Sequence, residues 1–233
     1  MHEFTWLGWI SDKINHHNIH IYSAAIVVIL LTVLSILYKI SLKSAEEEIV
    51  PSSKFSLKNI FQVAVEGILG LMEGVMGKEA KEYFPLIGTL FIYIFVNNML
   101  GLIPGFTPAT ENVNTNLALG LTVFVYYNYM GIKKQGIKNY VKHLLGPVWQ
   151  LAWLILPIEL ISHIVRPISL SVRLFGNITG DHVVLGIFSG LVPLVLPVIF
   201  LGLGVFVSLI QAFVFSLLST VYLGLAVAHE EHA

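Results

Sequence analysis

Ser169-Leu170-Ser171-Val172-Arg173-Leu174-Phe175-Gly176-Asn177 sets a guanidinium inside a long apolar run. If that run lies in a bilayer, the charge costs about 2.5–3.5 kcal/mol at the membrane centre on insertion scales. Arginine does not escape by releasing its proton. A permanent cation at that depth is therefore a functional residue by default, and it needs an anion or water beside it. Around it, Glu159, Ser162, Arg166, Ser169, Arg173 and Asn177 follow one another at intervals of three or four residues. Such intervals bring side chains to one face of an α-helix. Pro157 and Pro167 bend such a helix without ending it in a membrane. Glu159 and Arg173 are about 21 Å apart along the axis, too far for a direct pair. Arg166 has a plainer reading as a helix-capping residue. The counter-charge for Arg173 is then expected from another protein.

The rest of the chain supports the membrane reading. Of 233 residues, 56% are hydrophobic and 12% charged, against about 25% charged in soluble domains. The near-neutral net charge of −1 argues against nucleic acid as a partner. With no cysteine, disulfides and thiolate metal sites are excluded. No cofactor or metal site is expected. Neither a P-loop nor a nucleophile triad can be found.

The expected fold is an all-α membrane protein, a single polytopic domain over residues 1–233. It has about five membrane-embedded helices plus one amphipathic helix. Candidate spans are Ile19–Tyr38, Phe84–Ile103, Asn116–Ile132, Val148–Leu174 and His182–Ala228. The first reads as a retained span, because no small-residue cleavage site follows it. Between the first two, Phe55 to Gly77 carries Lys58, Gln62, Glu66 and Glu73 near a 3.6-residue period, as an amphipathic helix does. The last run has 47 residues, about 70 Å of helix, too much for one upright crossing. Either it crosses twice or it lies strongly tilted, and Pro193 and Pro197 favour a bend; the last two segments are expected to be long and tilted as a hairpin, and one turning around Gly176 to Gly180 is considered. In that hairpin Gln211 faces the arginine stripe. Ser208, Gln211 and Tyr222 share one face of the last helix.

Lysines flank this pattern asymmetrically. Lys39, Lys43, Lys54 and Lys58 follow the first span, and Lys133, Lys134, Lys138 and Lys142 the third. The turn from Pro104 to Thr115 carries none. The positive-inside rule puts both lysine-bearing loops in the cytoplasm and the N-terminus outside. Glu111, Asn112 and Asn114 then sit in an outside loop, either as a hydrated vestibule or as ordinary solvated residues. His182 titrates near neutrality. Asn97 and Asn98 read as packing residues. The terminal histidines, His16, His17, His20, His229 and His232, read as solvated.

Pro167-Ile-Ser-Leu-Ser-Val-Arg-Leu-Phe-Gly-Asn177, followed by Ile210-Gln-Ala-Phe-Val-Phe215, resembles subunit a of bacterial F-type ATP synthase. Pro157-Ile-Glu-Leu-Ile-Ser162 and Asn97-Asn-Met-Leu-Gly-Leu-Ile-Pro104 match it too. The likeness runs from about Lys54 onward. It implies an ion-translocating region over residues 54–233, after an N-terminal region and first span over 1–53. It also implies a non-catalytic stator subunit of the plasma (inner) membrane, with a cytoplasmic C-terminus. Its partners are a rotating c-ring and peripheral-stalk b subunits. In that resemblance Arg173 faces the ring carboxylate. Glu159, Ser162 and Ser169 line a cytoplasmic half-channel, and Asn177, His182 and Gln211 an outside one. Some relatives have a carboxylate nine residues after the arginine and a histidine seven before the glutamine; here those positions are His182 and Gly204. The competing reading is a secondary transporter or self-contained channel, with Arg173 binding an anionic substrate.

Overall fold

The computed structural model describes residues 5–6, 18–41, 57–140, 152–191 and 195–227. Six long helices carry them: α1 (Ile19–Ser41), α2 (Leu57–Met76), α3 (Ala80–Gly101), α4 (Val113–Gln135), α5 (Ala152–Leu191) and α6 (Val195–Val227). No strand occurs among the described residues. An all-helical build is what a bilayer demands, because a helix satisfies its backbone groups internally. Among the described residues four stretches are long and apolar enough to cross: Ile19–Leu37, Gln62–Gly101, Trp153–Phe188 and Pro197–Val227. The protein is a multi-pass membrane protein. Helix α4, expected as the third span, is more polar, with Asn114, Asn116 and Asn128 along its length and Lys133 and Lys134 in its last turn.

The chain forms two compact units, residues 1–109 and 110–233. In the first, α3 packs against α1 and α2. The amphipathic helix appears where it was expected. Ile68 and Met72 are buried on one side, while Gln62 donates to Glu66 at 2.8 Å on the exposed side. The side chain of Lys58 lies outside the described residues. Gly77, at φ +65°, turns α2 into a short 3-10 turn, a backbone region that favours glycine. The turn after α3 is held by Ser23, whose hydroxyl donates to the Thr107 carbonyl at 2.7 Å, and by the Trp6 indole, which donates to Pro104 O at 2.9 Å. Asn97 and Asn98 are buried as packing residues, with Asn97 donating back to Tyr93 O at 2.9 Å.

In the second unit, α4 packs against α5 and α6, and α5 against α6. Asn112 caps the start of α4 by accepting from Asn114 N at 2.9 Å. Such a cap satisfies one of the unpaired N–H groups of the first turn. Close approach of α4 to α5 depends on Gly120. A Cβ there would stand 2.5 Å from Ser171 Oγ and 2.7 Å from Pro167 O. The Ser171 hydroxyl is shared between its own helix and α4, with Pro167 O at 2.7 Å and Asn116 O at 2.9 Å. Small residues of this kind let membrane helices approach closely, where burial in lipid supplies no hydrophobic drive.

The last two helices are long, at 40 and 33 residues. That is about 60 Å and 50 Å of helix, against a hydrocarbon core of about 30 Å. No turn occurs at Gly176 to Gly180. Helix α5 runs unbroken through Gly176 and Gly180 to Leu191, so the boundaries at Leu174 and His182 are both wrong. Glycine weakens a helix by about 1 kcal/mol but keeps its N–H. A break there would expose several backbone groups that lipid cannot satisfy. The terminal histidines other than His20, together with Pro193, lie outside the described residues.

The glycine contacts give a stability test. Gly120→Val should lower the melting temperature of the detergent-solubilised protein by the equivalent of about 1–3 kcal/mol of overpacking. Gly202→Ala, with no atom within 4 Å of its Cβ position, should change it little. Equal melting temperatures for the two variants would contradict the packing described.

Candidate functional site

The polar stripe of α5 changes character along its length. Glu159, Ser162 and Arg166 are half-buried, whereas Ser169, Arg173 and Asn177 are exposed on the surface of the chain. The helix face that packs inward near the arginine is Pro167, Leu170, Ser171, Leu174 and Ile178. Arg173 thus points away from its own chain. On the same helix Val165, Ile168 and Val172 are also exposed, as is Phe213 on α6, two residues beyond the Gln211 that bonds to Asn177. The guanidinium stands in an apolar surface.

Beyond Arg173, Asn177 donates from Nδ2 to Gln211 Oε1 at 2.5 Å, and Gln211 itself is buried. The expectation that Gln211 meets the stripe holds, with α5 still helical at Gly176 to Gly180. Farther along α5, His182 Nδ1 stands 3.2 Å from Glu111 Oε1, at the turn before α4. Read from the sequence, these two residues belong to separate groups; the fold joins them. Asn112 spends its side chain on the α4 cap, and Asn114 is exposed. Asp181, which sequence reading passed over, is half-buried next to His182.

On the other side of Arg173, Glu159 is engaged twice. Arg166 Nη2 lies 3.7 Å from its Oε1, and His163 Nδ1 lies 3.6 Å from the same oxygen. Arg166 also stands over the Tyr222 ring at 5.3 Å, a cation–π distance. The helix-capping role read for Arg166 is therefore replaced by an internal pair, because α4 and α6 enclose this end of the stripe. His163 was missed. Its signal was its position, four residues after Glu159, but it falls one residue off the counted stripe. Tyr127 and Phe124 pack edge-on against its ring. Just beyond α4, the Tyr140 hydroxyl donates to Asn128 Oδ1 at 2.6 Å and stands 3.4 Å from His163 Nε2. Burial pushes the Tyr140 phenol above its usual range, opposed by the Arg166 charge. It stays a neutral O–H near pH 7.

Arg173 is different. Among the described residues no carboxylate lies within ion-pair distance of it. Asp181 is eight residues away, about 12 Å along the axis. Polar side chains thus stand on α5 to either side of Arg173, and among the described residues that cation has no carboxylate partner.

Residues 21–224 match the sequence profile of the ATP synthase A chain. The chain belongs to that family. A protein named ATP synthase subunit a from Bdellovibrio bacteriovorus is 42% identical over 227 residues, covering 97% of this chain and 99% of its own. The subunit a of Sulfurimonas denitrificans is 40% identical over 231 residues, 98% of each chain. That of Geobacter sulfurreducens is 47% identical over 167 residues, 72% of each. Membership makes this chain a non-catalytic membrane subunit.

The amide pair can be tested by a double-mutant cycle on thermal stability with Asn177→Leu, Gln211→Leu and both. Membrane hydrogen bonds average about 0.6 kcal/mol and reach about 1.7. A coupling in that range is expected; a value indistinguishable from zero would mean that the two amides do not meet.

Proposed function

We propose that this chain is the ion-conducting stator of a rotary ATP synthase, carrying protons between two offset half-channels past a ring of c subunits. The observation that carries the reading is Arg173: an exposed guanidinium in an apolar surface, with no carboxylate of its own chain within reach among the described residues. A surface of this kind suits a partner that is itself apolar and brings one carboxylate to the cation.

The chemistry follows from charge. A ring carboxyl facing lipid travels protonated, because an ionised carboxylate there is too costly. Opposite Arg173 the anion is favoured, since a nearby cation stabilises the charged form of an acid. The proton leaves by one track and a new one enters by the other. Glu159, Ser162 and Ser169 belong to the cytoplasmic track. Asn177, Gln211 and His182 belong to the outside track, with Glu111, Asn112 and Asn114 at its mouth. The 3.2 Å approach of Glu111 to His182 supports that grouping. It puts a carboxylate beside the imidazole where some relatives carry the acid on the helix. Arg173 blocks a direct leak, because its charge repels a cation crossing between the tracks. Each proton brings about 2.3 kcal/mol per 100 mV. The subunit sits in the plasma (inner) membrane with its N-terminus outside, beside the peripheral-stalk b subunits.

In vesicles holding the whole reconstituted synthase, Arg173→Ala should abolish coupled ATP synthesis and raise passive proton leak. Full synthesis in that variant would overturn the proposal. Glu159→Gln and Gln211→Leu should each lower flux by less. Unchanged flux in both would remove these residues from the tracks.

A further inference from the structure

Beyond the end of α4 the chain reverses, and one side chain of the returning turn goes inward. Gly136 makes the reversal at φ +77°, a region that favours glycine. Its N–H donates to Ile132 O at 2.9 Å, which closes α4, and the Tyr140 N–H donates to Gly136 O at 3.0 Å, which begins a new helical turn. Gly136, Ile137, Lys138 and Asn139 are exposed, whereas Tyr140 is half-buried. The surface that receives its ring is shaped for it. A Cβ on the buried Gly131 would stand 2.8 Å from Tyr140 Cε2 and 2.9 Å from Ala226 O. The missing side chain leaves a notch where α4, α6 and the ring converge.

The hydroxyl end is held in one direction. Asn128 Nδ2 donates to the Phe124 carbonyl at 2.6 Å, which leaves the amide oxygen for another donor. The Tyr140 hydroxyl is that donor, at 2.6 Å. Nearby, Gln135 Nε2 donates to Ala226 O at 2.9 Å and ties the last turn of α4 to α6. On the α5 side the hydroxyl is 3.4 Å from His163 Nε2. Beyond the effect of burial, the charges of Arg166 and Glu159 reach the phenol in opposite senses. Tyr140 therefore stands over the cluster that Glu159, His163 and Arg166 form. The side chains of that cluster are 14–29% exposed, covered but not sealed. The turn that covers them is held by one ring in a notch and one side-chain hydrogen bond. Segments with few buried contacts and an exposed backbone open locally at low free energy.

We propose that residues 136–140 form a strap over this cluster, with Tyr140 as its latch, and that releasing the latch admits cytoplasmic water to Glu159. Its use rests on the stator reading above, since the cluster then belongs to the cytoplasmic track. Tyr140 is a positioning residue and passes no proton itself. In the closed position its ring fills the Gly131 notch and shuts the α4 side of the cluster. In the open position Gly136 is the hinge, and water takes up both the phenol and Asn128 Oδ1. Exchange of a protein hydrogen bond for water bonds has a small net free energy, which keeps the two positions close in energy. Phenylalanine would serve less well. It would fill the notch but leave the Asn128 oxygen without its donor, which disfavours closure.

The chain has no cysteine, so Ser162→Cys gives this subunit a single thiol, half-buried on α5 three residues after Glu159. The experiment uses the intact synthase in vesicles with its cytoplasmic face outward. A small, charged, membrane-impermeant thiol reagent is added, and its rate of attachment to this subunit reports water access. Tyr140→Phe should raise that rate by about two- to tenfold, the span of one net hydrogen bond. Tyr140→Ala, which also empties the notch, should raise it further. Gly131→Ala should act in the same direction by displacing the ring, whereas Gly202→Ala, with no atom near its Cβ position, should not. A thiol placed instead by Ser216→Cys, buried on α6, should stay unlabelled throughout. Equal rates in Tyr140→Phe, Tyr140→Ala and the parent would overturn the proposal. Labelling at position 216 that rises in step with position 162 would also overturn it, since that is general loosening. If the Tyr140 and Gly131 variants fail to assemble, amide hydrogen exchange of the unsubstituted synthase decides. The Tyr140 N–H should exchange faster than the α4 amides around Asn128, and equal protection would overturn the strap. Indifferent Tyr140 variants remove only this inference, whereas retained ATP synthesis in Arg173→Ala removes the stator reading and leaves the labelling result standing.

Discussion

Two guanidiniums lie seven residues apart on one helix, and the chain neutralises one of them. Arg166 has Glu159 at 3.7 Å and the Tyr222 ring at 5.3 Å. Arg173 has neither kind of partner among the described residues. This charge, unpaired among the described residues, is the constraint on which the arrangement depends. A fold selected only for stability would pair or delete it, because an isolated cation in hydrocarbon costs several kcal/mol. The surrounding structure does the opposite. It packs Leu170, Ser171, Leu174 and Ile178 inward and leaves Arg173 on the outer face.

That orientation depends on small contacts some distance from the charge. Gly120 lets α4 lie against the backbone of α5, and Ser171 ties the two through its shared hydroxyl. The inward face near Arg173 is fixed by these contacts, and the outward face follows from the helical period. At the other crossing, the Asn177–Gln211 bond joins α5 to α6 one turn beyond the arginine. Polar bonds of this kind are modest in membranes, about 0.6 kcal/mol on average. Their value here is in register. They hold a rotation angle about α5 that apolar packing alone would leave loosely defined.

Much of this was legible in the sequence. Composition and apolar runs give an all-helical membrane protein. The period of Lys58, Gln62, Glu66 and Glu73 gives the amphipathic helix to within two residues at its start and one at its end. The stripe from Glu159 to Asn177 is a matter of counting, and so is the absence of a counter-ion for Arg173. What failed was local. Glycines at 176 and 180 suggested a turn, but in a bilayer the loss of backbone hydrogen bonds outweighs glycine's weak helix propensity. Partners that come from other helices were also hidden. No spacing rule links Glu111 to His182, or Tyr140 to His163, because those contacts depend on how α4 packs against α5. Arg166 joins an internal network as read, but through Glu159 and the Tyr222 ring and not as a helix cap, because that enclosure is a property of the folded unit.

The account stands or falls on what meets Arg173 in the assembled membrane sector. A structure of the intact complex, resolved well enough to place side chains at the stator–ring contact, measures this directly. The expected result is a ring carboxylate facing the Arg173 guanidinium within ion-pair distance or through a single water, at the level between the Glu159 and Gln211 tracks. Arg173 buried against an acid of its own chain, or facing lipid at every position of the ring, would contradict the account.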